Sequence, residues 1–236
     1  MGKTLIKVQK LTKSYDGKAI FKNLHFTIKQ GEVLAVIGYS GCGKSTLLRI
    51  LGGFEKPDTG EVLLDSVRVV RPSKDKIMIF QDFAQLLPWR TVLDNVVWPM
   101  LVTGAVATRT EAMEITKKCL ADMELSESNF QKFPSQLSGG MKQRVAVARA
   151  LALKPKVLLM DEPFGALDIL TRKKMQIITR EVCEKHHVAT VLVTHSVAES
   201  VIMSDKILVF CPNGKTKIIK NDAQADPIIE ELLNVK

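Results

Sequence analysis

Gly38-Tyr39-Ser40-Gly41-Cys42-Gly43-Lys44-Ser45 follows an apolar run at residues 32–37 and leads into a segment, residues 43–51, with the pattern of a helix. The octet fits G-x-x-x-x-G-K-[ST] in the context of buried strand, loop and helix. Glycines let the backbone turn successive N–H groups inward on phosphate oxygens, and the helix that follows adds its positive end. A lysine at Lys44 can reach the β- and γ-phosphates, and the Ser45 hydroxyl can ligate Mg²⁺. A glycine turn with a chance lysine would not need eight matched positions in this setting. The stretch predicts a nucleoside triphosphate site.

Outward from the loop, the chain reads as an α/β protein. Strand patterns at residues 5–10 and 21–28 precede the loop, and Gly31 and Gly60 are expected to mark turns. The first helix should end at Gly52-Gly53 in a glycine cap. Strand character returns over residues 61–80. Residues 91–153 are mostly helical, with segments expected at 91–100, 110–123 and 140–153. Buried strands at 157–160 and 190–194 flank an amphipathic helix at 170–187, a strand pair turns at Asn213-Gly214, and a short helix closes the chain at 226–235. Apolar strands alternating with helices predict a mainly parallel sheet covered on both faces, preceded by antiparallel strands. The expected organisation is one domain, with a core of about 1–90 and 154–236 and an inserted helical lobe of about 91–153.

Composition agrees with a globular chain. Of 236 residues, 46% are hydrophobic and 25% charged, with a formal net charge of +9, which excludes disorder as the main character. No apolar run approaches the ~18–20 residues of a membrane-spanning helix. The opening MGKTLIKVQK has no apolar core, and Ile6 stands where a myristoylation motif wants Ser or Thr, so neither export nor acylation is expected. Cys42, Cys119, Cys183 and Cys211 lack the spacing of a zinc site or a disulfide framework. The positive charge suits phosphates, nucleic acid or an anionic membrane, although lysines spread along a chain are also an ordinary solvated surface.

Two further elements carry chemistry. Asp161 and Glu162 end the apolar run 157–160, on the side of a parallel sheet where ligands bind. Asp161 can hold Mg²⁺ and Glu162 can take a proton from an attacking water; in isolation, two strand-end acids are as easily a turn. Leu137-Ser138-Gly139-Gly140-Met141 precedes an alanine-rich helix, which Ser138 is placed to cap. The chain therefore has two helix starts suited to anions but one lysine and one magnesium set. The second start makes most sense as part of a site on another chain, and read alone it is an N-capped surface helix.

Together these residues resemble the ATP-binding-cassette ATPases over nearly the whole chain. Ser138-Gly139-Gly140 is similar to that family's signature, with Met141 where glutamine is more usual. Gln81 resembles the Q-loop glutamine, Gly165-Ala166-Leu167-Asp168 the D-loop, His195 the switch histidine and Tyr15 the adenine-stacking aromatic. The resemblance implies a P-loop NTPase fold and a head-to-tail homodimer with two ATP molecules at its interface. Each ATP would meet Tyr15, Gly38, Ser40, Gly41, Cys42, Gly43, Lys44, Ser45 and Thr46 of one copy and Ser138, Gly139 and Gly140 of the other, with Asp168 also among the nucleotide-binding residues. Ser45, Gln81 and Asp161 would hold Mg²⁺, with Glu162, His195 and Gln81 catalytic. Without the resemblance, Tyr15 could equally be packing, and His186 and His187 read as helix-end residues. Alkylation of Cys42 and ATP binding are expected to exclude each other.

The segment Leu86-Leu87-Pro88-Trp89 followed by Thr91-Val92-Leu93-Asp94-Asn95-Val96 resembles the nitrate/sulfonate/taurine group of bacterial importers. Residues 86–89 read either as core of the helical lobe or as a groove for a short helix of a membrane partner. The implied assembly has separate permease subunits and an extracytoplasmic solute-binding protein, with this chain on the cytoplasmic face of the inner membrane. An ATPase of an exporter or lipoprotein-release complex is the alternative. A nucleic-acid-associated cassette fits less well, and no nucleic-acid partner is expected.

Overall fold

A computed structural model describes residues 3–80, 85–212, 215–222 and 224–234. Two sheets meet at the phosphate loop. An antiparallel sheet has the order β2 (Lys18–Lys29), β1 (Thr4–Tyr15), β4 (Thr59–Leu64), β5 (Val67–Arg68). The second sheet, in the order β10 (Thr216–Lys220), β9 (Lys206–Phe210), β3 (Val33–Gly38), β8 (Ala189–Thr194), β7 (Val157–Asp161), β6 (Lys76–Ile79), is parallel except for β10.

The expected two-faced burial is visible residue by residue. All six residues of β3 are buried. Leu34 and Val36 pack toward α1 (Lys44–Gly52) and the antiparallel sheet, while Ala35 and Ile37 pack toward α6 (Val197–Met203) and α7 (Ala225–Asn234). On β7, Val157 and Leu159 share the first side, whereas Leu158 and Met160 face α5 (Ile169–Lys185) and the helical segment. This period of two, with each side chain worth roughly 1.5–3 kcal/mol when fully buried, fixes the register that brings the loops at the strand ends together.

Helices α2 (Val92–Val102), α3 (Arg109–Asp122) and α4 (Gly139–Ala152) pack on one another. Asn95, fully buried, ties the preceding segment to α2: its Nδ2 donates to the carbonyls of Leu87, Arg90 and Thr91, and its Oδ1 accepts the Leu87 N–H at 2.8 Å. At the far end, Asp122 of α3 pairs with Lys185 at 2.6 Å and His186 at 2.9 Å, so His186 fastens α3 to α5.

Three expectations change. Gly60 is not a turn: it lies inside β4 at φ 82°, where the pairing with β1 slips between Gln9 and Thr12, and a Cβ there would lie 2.3 Å from the Lys10 carbonyl oxygen. β1 runs on to Tyr15, well past residue 10. A helix unforeseen in the sequence, α6, follows β8 directly, because Ser196 caps it within two residues of the strand end. The expected turn at Asn213-Gly214 lies outside the described residues. Among those residues, no helix is long and apolar enough to cross a membrane.

Candidate active site

At the carboxyl ends of β3, β7 and β8, a cleft of about 510 Å³ is lined by Tyr15, Ile20, Ser40, Gly41, Gly43, Lys44, Ser45, Thr46, Glu162 and His195. The loop bends at Gly41 (φ 78°) and Gly43 (φ 103°), conformations L-residues rarely adopt, and a Cβ on Gly43 would lie 2.0 Å from Ile20 Cγ2. Gly38 is required for a different reason: a Cβ would meet Phe210 and the Cys42 sulfur at 2.7 and 2.8 Å. Lys44 is buried, and its Nζ donates to the carbonyls of Gly38 at 2.9 Å and Tyr39 at 3.1 Å. Those acceptors are neutral, so an anion in the cleft would be a stronger partner for the ammonium.

Burial pushes the Asp161 carboxyl above the usual carboxylate range, against the pull of the neighbouring Ser45 hydroxyl. A serine hydroxyl beside a partly buried carboxylate is a hard-oxygen pair of the kind Mg²⁺ selects, with water and phosphate oxygens completing the shell. Among the described residues there is no cluster of three or more His, Cys, Asp or Glu that could hold a metal without such help.

Glu162 follows at φ 46°, its N–H bonded to the Val193 carbonyl. That kink separates it from Asp161 and turns it into the cleft, where Oε2 lies 3.2 Å from His195 Nδ1. An ionised carboxylate only accepts, so Nδ1 carries the proton in this contact. The two acids, adjacent in sequence, thus sit in different surroundings.

Other expected residues lie elsewhere. Ser138 caps α4, accepting the Met141 N–H at 3.3 Å, and with Gly140 it lines a separate cavity alongside Arg144, Thr171 and Lys174. Gly139 is the first residue of α4. The Met141 side chain packs against the helical core. Asp168 caps α5, its Oδ1 accepting the Thr171 N–H at 3.0 Å, and it does not line the cleft. Gln81 lies outside the described residues. Cys42, at which alkylation and ATP binding are expected to exclude each other, is buried in the core, and burial pushes its thiol up despite the nearby Lys44 charge.

Sequence reasoning missed Ile20, which forms a cleft wall, and Glu55, which accepts the Tyr15 hydroxyl. Neither belongs to a motif: Ile20 comes in on β2, and Glu55 on the segment that joins α1 to β4. Of residues 86–89, Leu86 is core and Trp89 is 71% exposed. A small groove nearby is walled by Leu87 with Ile77, Trp98, Pro99, Arg149 and Leu153.

Comparison with known proteins matches this geometry. The bicarbonate transport ATP-binding protein CmpC of Synechococcus elongatus is 43% identical over 84% of this chain and 29% of its own length. The nitrate import ATP-binding protein NrtC of the same species is 40% identical over 87% of this chain and 31% of its own. The chain thus spans less than a third of the length of these relatives. Among solved structures, the dimeric post-hydrolysis state of the ATP-binding cassette MJ0796 bound to ADP and Pi superposes with a TM-score of 0.77 at 32% identity, covering 93% of this chain and all of that one. The family model described as ABC transporter matches residues 21–165, which include the phosphate loop and the acid pair, and the chain belongs to that family.

Proposed function

We propose that the chain is the ATP-hydrolysing subunit of an importer for a small anion or organic solute, the class that includes nitrate, bicarbonate, sulfonates and taurine. What carries the reading of hydrolysis is one contact, Glu162 against His195, across the mouth of a phosphate-loop cleft. What supports import of a small anion is the similarity to proteins named for nitrate and bicarbonate transport.

The residues divide the work. Backbone N–H groups from Gly41 to Thr46 and the start of α1 receive the β- and γ-phosphates, and Lys44 exchanges its loop carbonyls for phosphate oxygens. Tyr15 stacks on the base, a contact worth ~1–3 kcal/mol. Ser45, Asp161 and Gln81 would hold Mg²⁺, which when bound neutralises charge on the phosphate oxygens. Glu162 takes the proton of the attacking water, and His195 holds the Glu162 carboxylate in place through Nδ1. Positioning and charge stabilisation dominate such a reaction.

Ser138 and Gly140, with Gly139 between them, belong to a different cavity from Lys44, so the three serve the nucleotide of a second copy. Asp168 acts at that interface from its place at the start of α5. Residues of about 91–153 act as a helical subdomain against a core of about 1–90 and 154–236. The groove beside Leu87 and Trp98 supports docking of a helix of a separate permease, with the chain at the cytoplasmic face of the membrane. A solute-binding protein outside the membrane delivers the cargo.

The test is reconstitution in vesicles with the permease encoded beside the gene. Uptake of a labelled small anion that needs ATP and stops with Glu162→Gln is expected. Outward movement of cargo under the same conditions would overturn import, and full hydrolysis by Glu162→Gln would overturn the catalytic assignment.

A further inference from the structure

Tyr15 is held from behind by side chains that no motif includes. Its hydroxyl donates to Glu55 Oε1. Lys13 Nζ lies 5.0 Å from the centre of the Tyr15 ring, 3.0 Å from the same Glu55 oxygen and 3.7 Å from Asp58 Oδ1, and donates to the Lys56 carbonyl at 3.0 Å. Asp58 Oδ2 accepts the Ser14 N–H at 2.7 Å. Only 12% of the Lys13 side chain is exposed, so packing as well as charge holds the ammonium in place against the ring. Burial alone would raise the Glu55 carboxyl, but the hydrogen bonds from Tyr15 and Lys13 outweigh it and hold it below its ordinary value.

A tyrosine at the exposed end of a strand ordinarily turns freely about its side-chain bonds, and that freedom is lost on stacking against a base. Here one ring face carries a lysine ammonium and the hydroxyl is tied, so the ring is already oriented and its other face remains for a ligand. Glu55, Lys56 and Asp58 lie in the segment leaving α1, the helix that begins at the phosphate loop. The base-stacking ring is thereby fastened to the element that carries the phosphates.

We propose that Glu55, assisted by Lys13, is a positioning residue for the nucleotide: it orients Tyr15 through the phenol hydroxyl and so lowers the KM for ATP without touching it. This rests on the reading of Tyr15 as the base contact.

The test is steady-state ATP hydrolysis by the full chain with Glu55→Ala, Glu55→Gln, Tyr15→Phe, Tyr15→Ala and the double variant Glu55→Ala/Tyr15→Phe. Glu55→Ala is expected to raise KM about three- to tenfold, the scale of one lost hydrogen bond, with kcat within about twofold. Glu55→Gln, which still accepts from the hydroxyl, should recover part of the loss. The double variant should have the KM of Tyr15→Phe alone, since the tether acts through the hydroxyl. If Tyr15→Ala raises KM while Glu55→Ala does not, the positioning role is overturned and the base contact stands. If Glu55→Ala raises KM equally in the parent chain and in the Tyr15→Phe background, the effect does not pass through the hydroxyl and the role is likewise overturned. If neither Tyr15→Ala nor Glu55→Ala alters KM, the base contact itself is wrong.

Discussion

His195 Nδ1 and Glu162 Oε2 stand 3.2 Å apart, although 33 residues separate them in the chain. The parallel pairing of β7 with β8 creates this contact, since each residue follows its strand at the same end of the sheet. Substituting Glu162 with Gln keeps the shape and removes the proposed base. Turnover should fall roughly 10²–10⁴-fold while ATP still binds. Loss of binding in an ATP titration would contradict this division of roles.

Lys44→Ala should abolish detectable ATP binding by calorimetry. The same change removes two hydrogen bonds to loop carbonyls, so a modest loss of stability, about 1–2 kcal/mol in a denaturant melt, is expected alongside it.

Asp161 gives a pH-dependent expectation. Its folded-state pKa is raised, chiefly by burial. The stability it contributes is therefore complete below the unfolded-state pKa and is lost as pH rises through the raised folded value. At neutral pH the ionised group is a net cost. Asp161→Asn should raise Tm at neutral pH, while hydrolysis is lost. The gain should shrink as the pH is lowered into the carboxylate range. A Tm difference independent of pH would count against the assignment.

The contact between α3 and α5 should be measurable in the opposite sense. Burial raises Asp122, but its bonds to Lys185 and His186 outweigh this and hold the carboxyl low. Its stabilisation is present above the unfolded-state pKa and disappears as pH falls through the folded value. Asp122→Ala should cost about 1–2 kcal/mol in a denaturant melt at neutral pH, and little in acid.

The phosphate loop, the acid pair and the cap at Ser138 were legible in the sequence because each is a local motif whose chemistry depends on neighbours in the chain. Ile20 beside Gly43 and Glu55 beneath Tyr15 were not: β2 carries Ile20 to the loop, and the segment that joins α1 to β4 carries Glu55 to Tyr15. Cys42 belongs to the loop by motif, yet its side chain packs in the core with residues of β3 and α1, which the motif does not announce. Gly60 has the composition of a turn and serves instead as a bulge within a paired strand. The helix α6 is only seven residues long, too short for a periodic pattern to announce it.

Ser138 and Lys44 open onto different cavities of the same molecule. On the proposed shared site, two crippled versions should rescue each other. Chains bearing Lys44→Ala, mixed with chains altered at Ser138, would pair to rebuild one intact chamber from the sound half of each, beside one doubly damaged chamber. Activity recovered from two inactive stocks on mixing, and diluted away again, would be the biochemical equivalent of complementation between alleles.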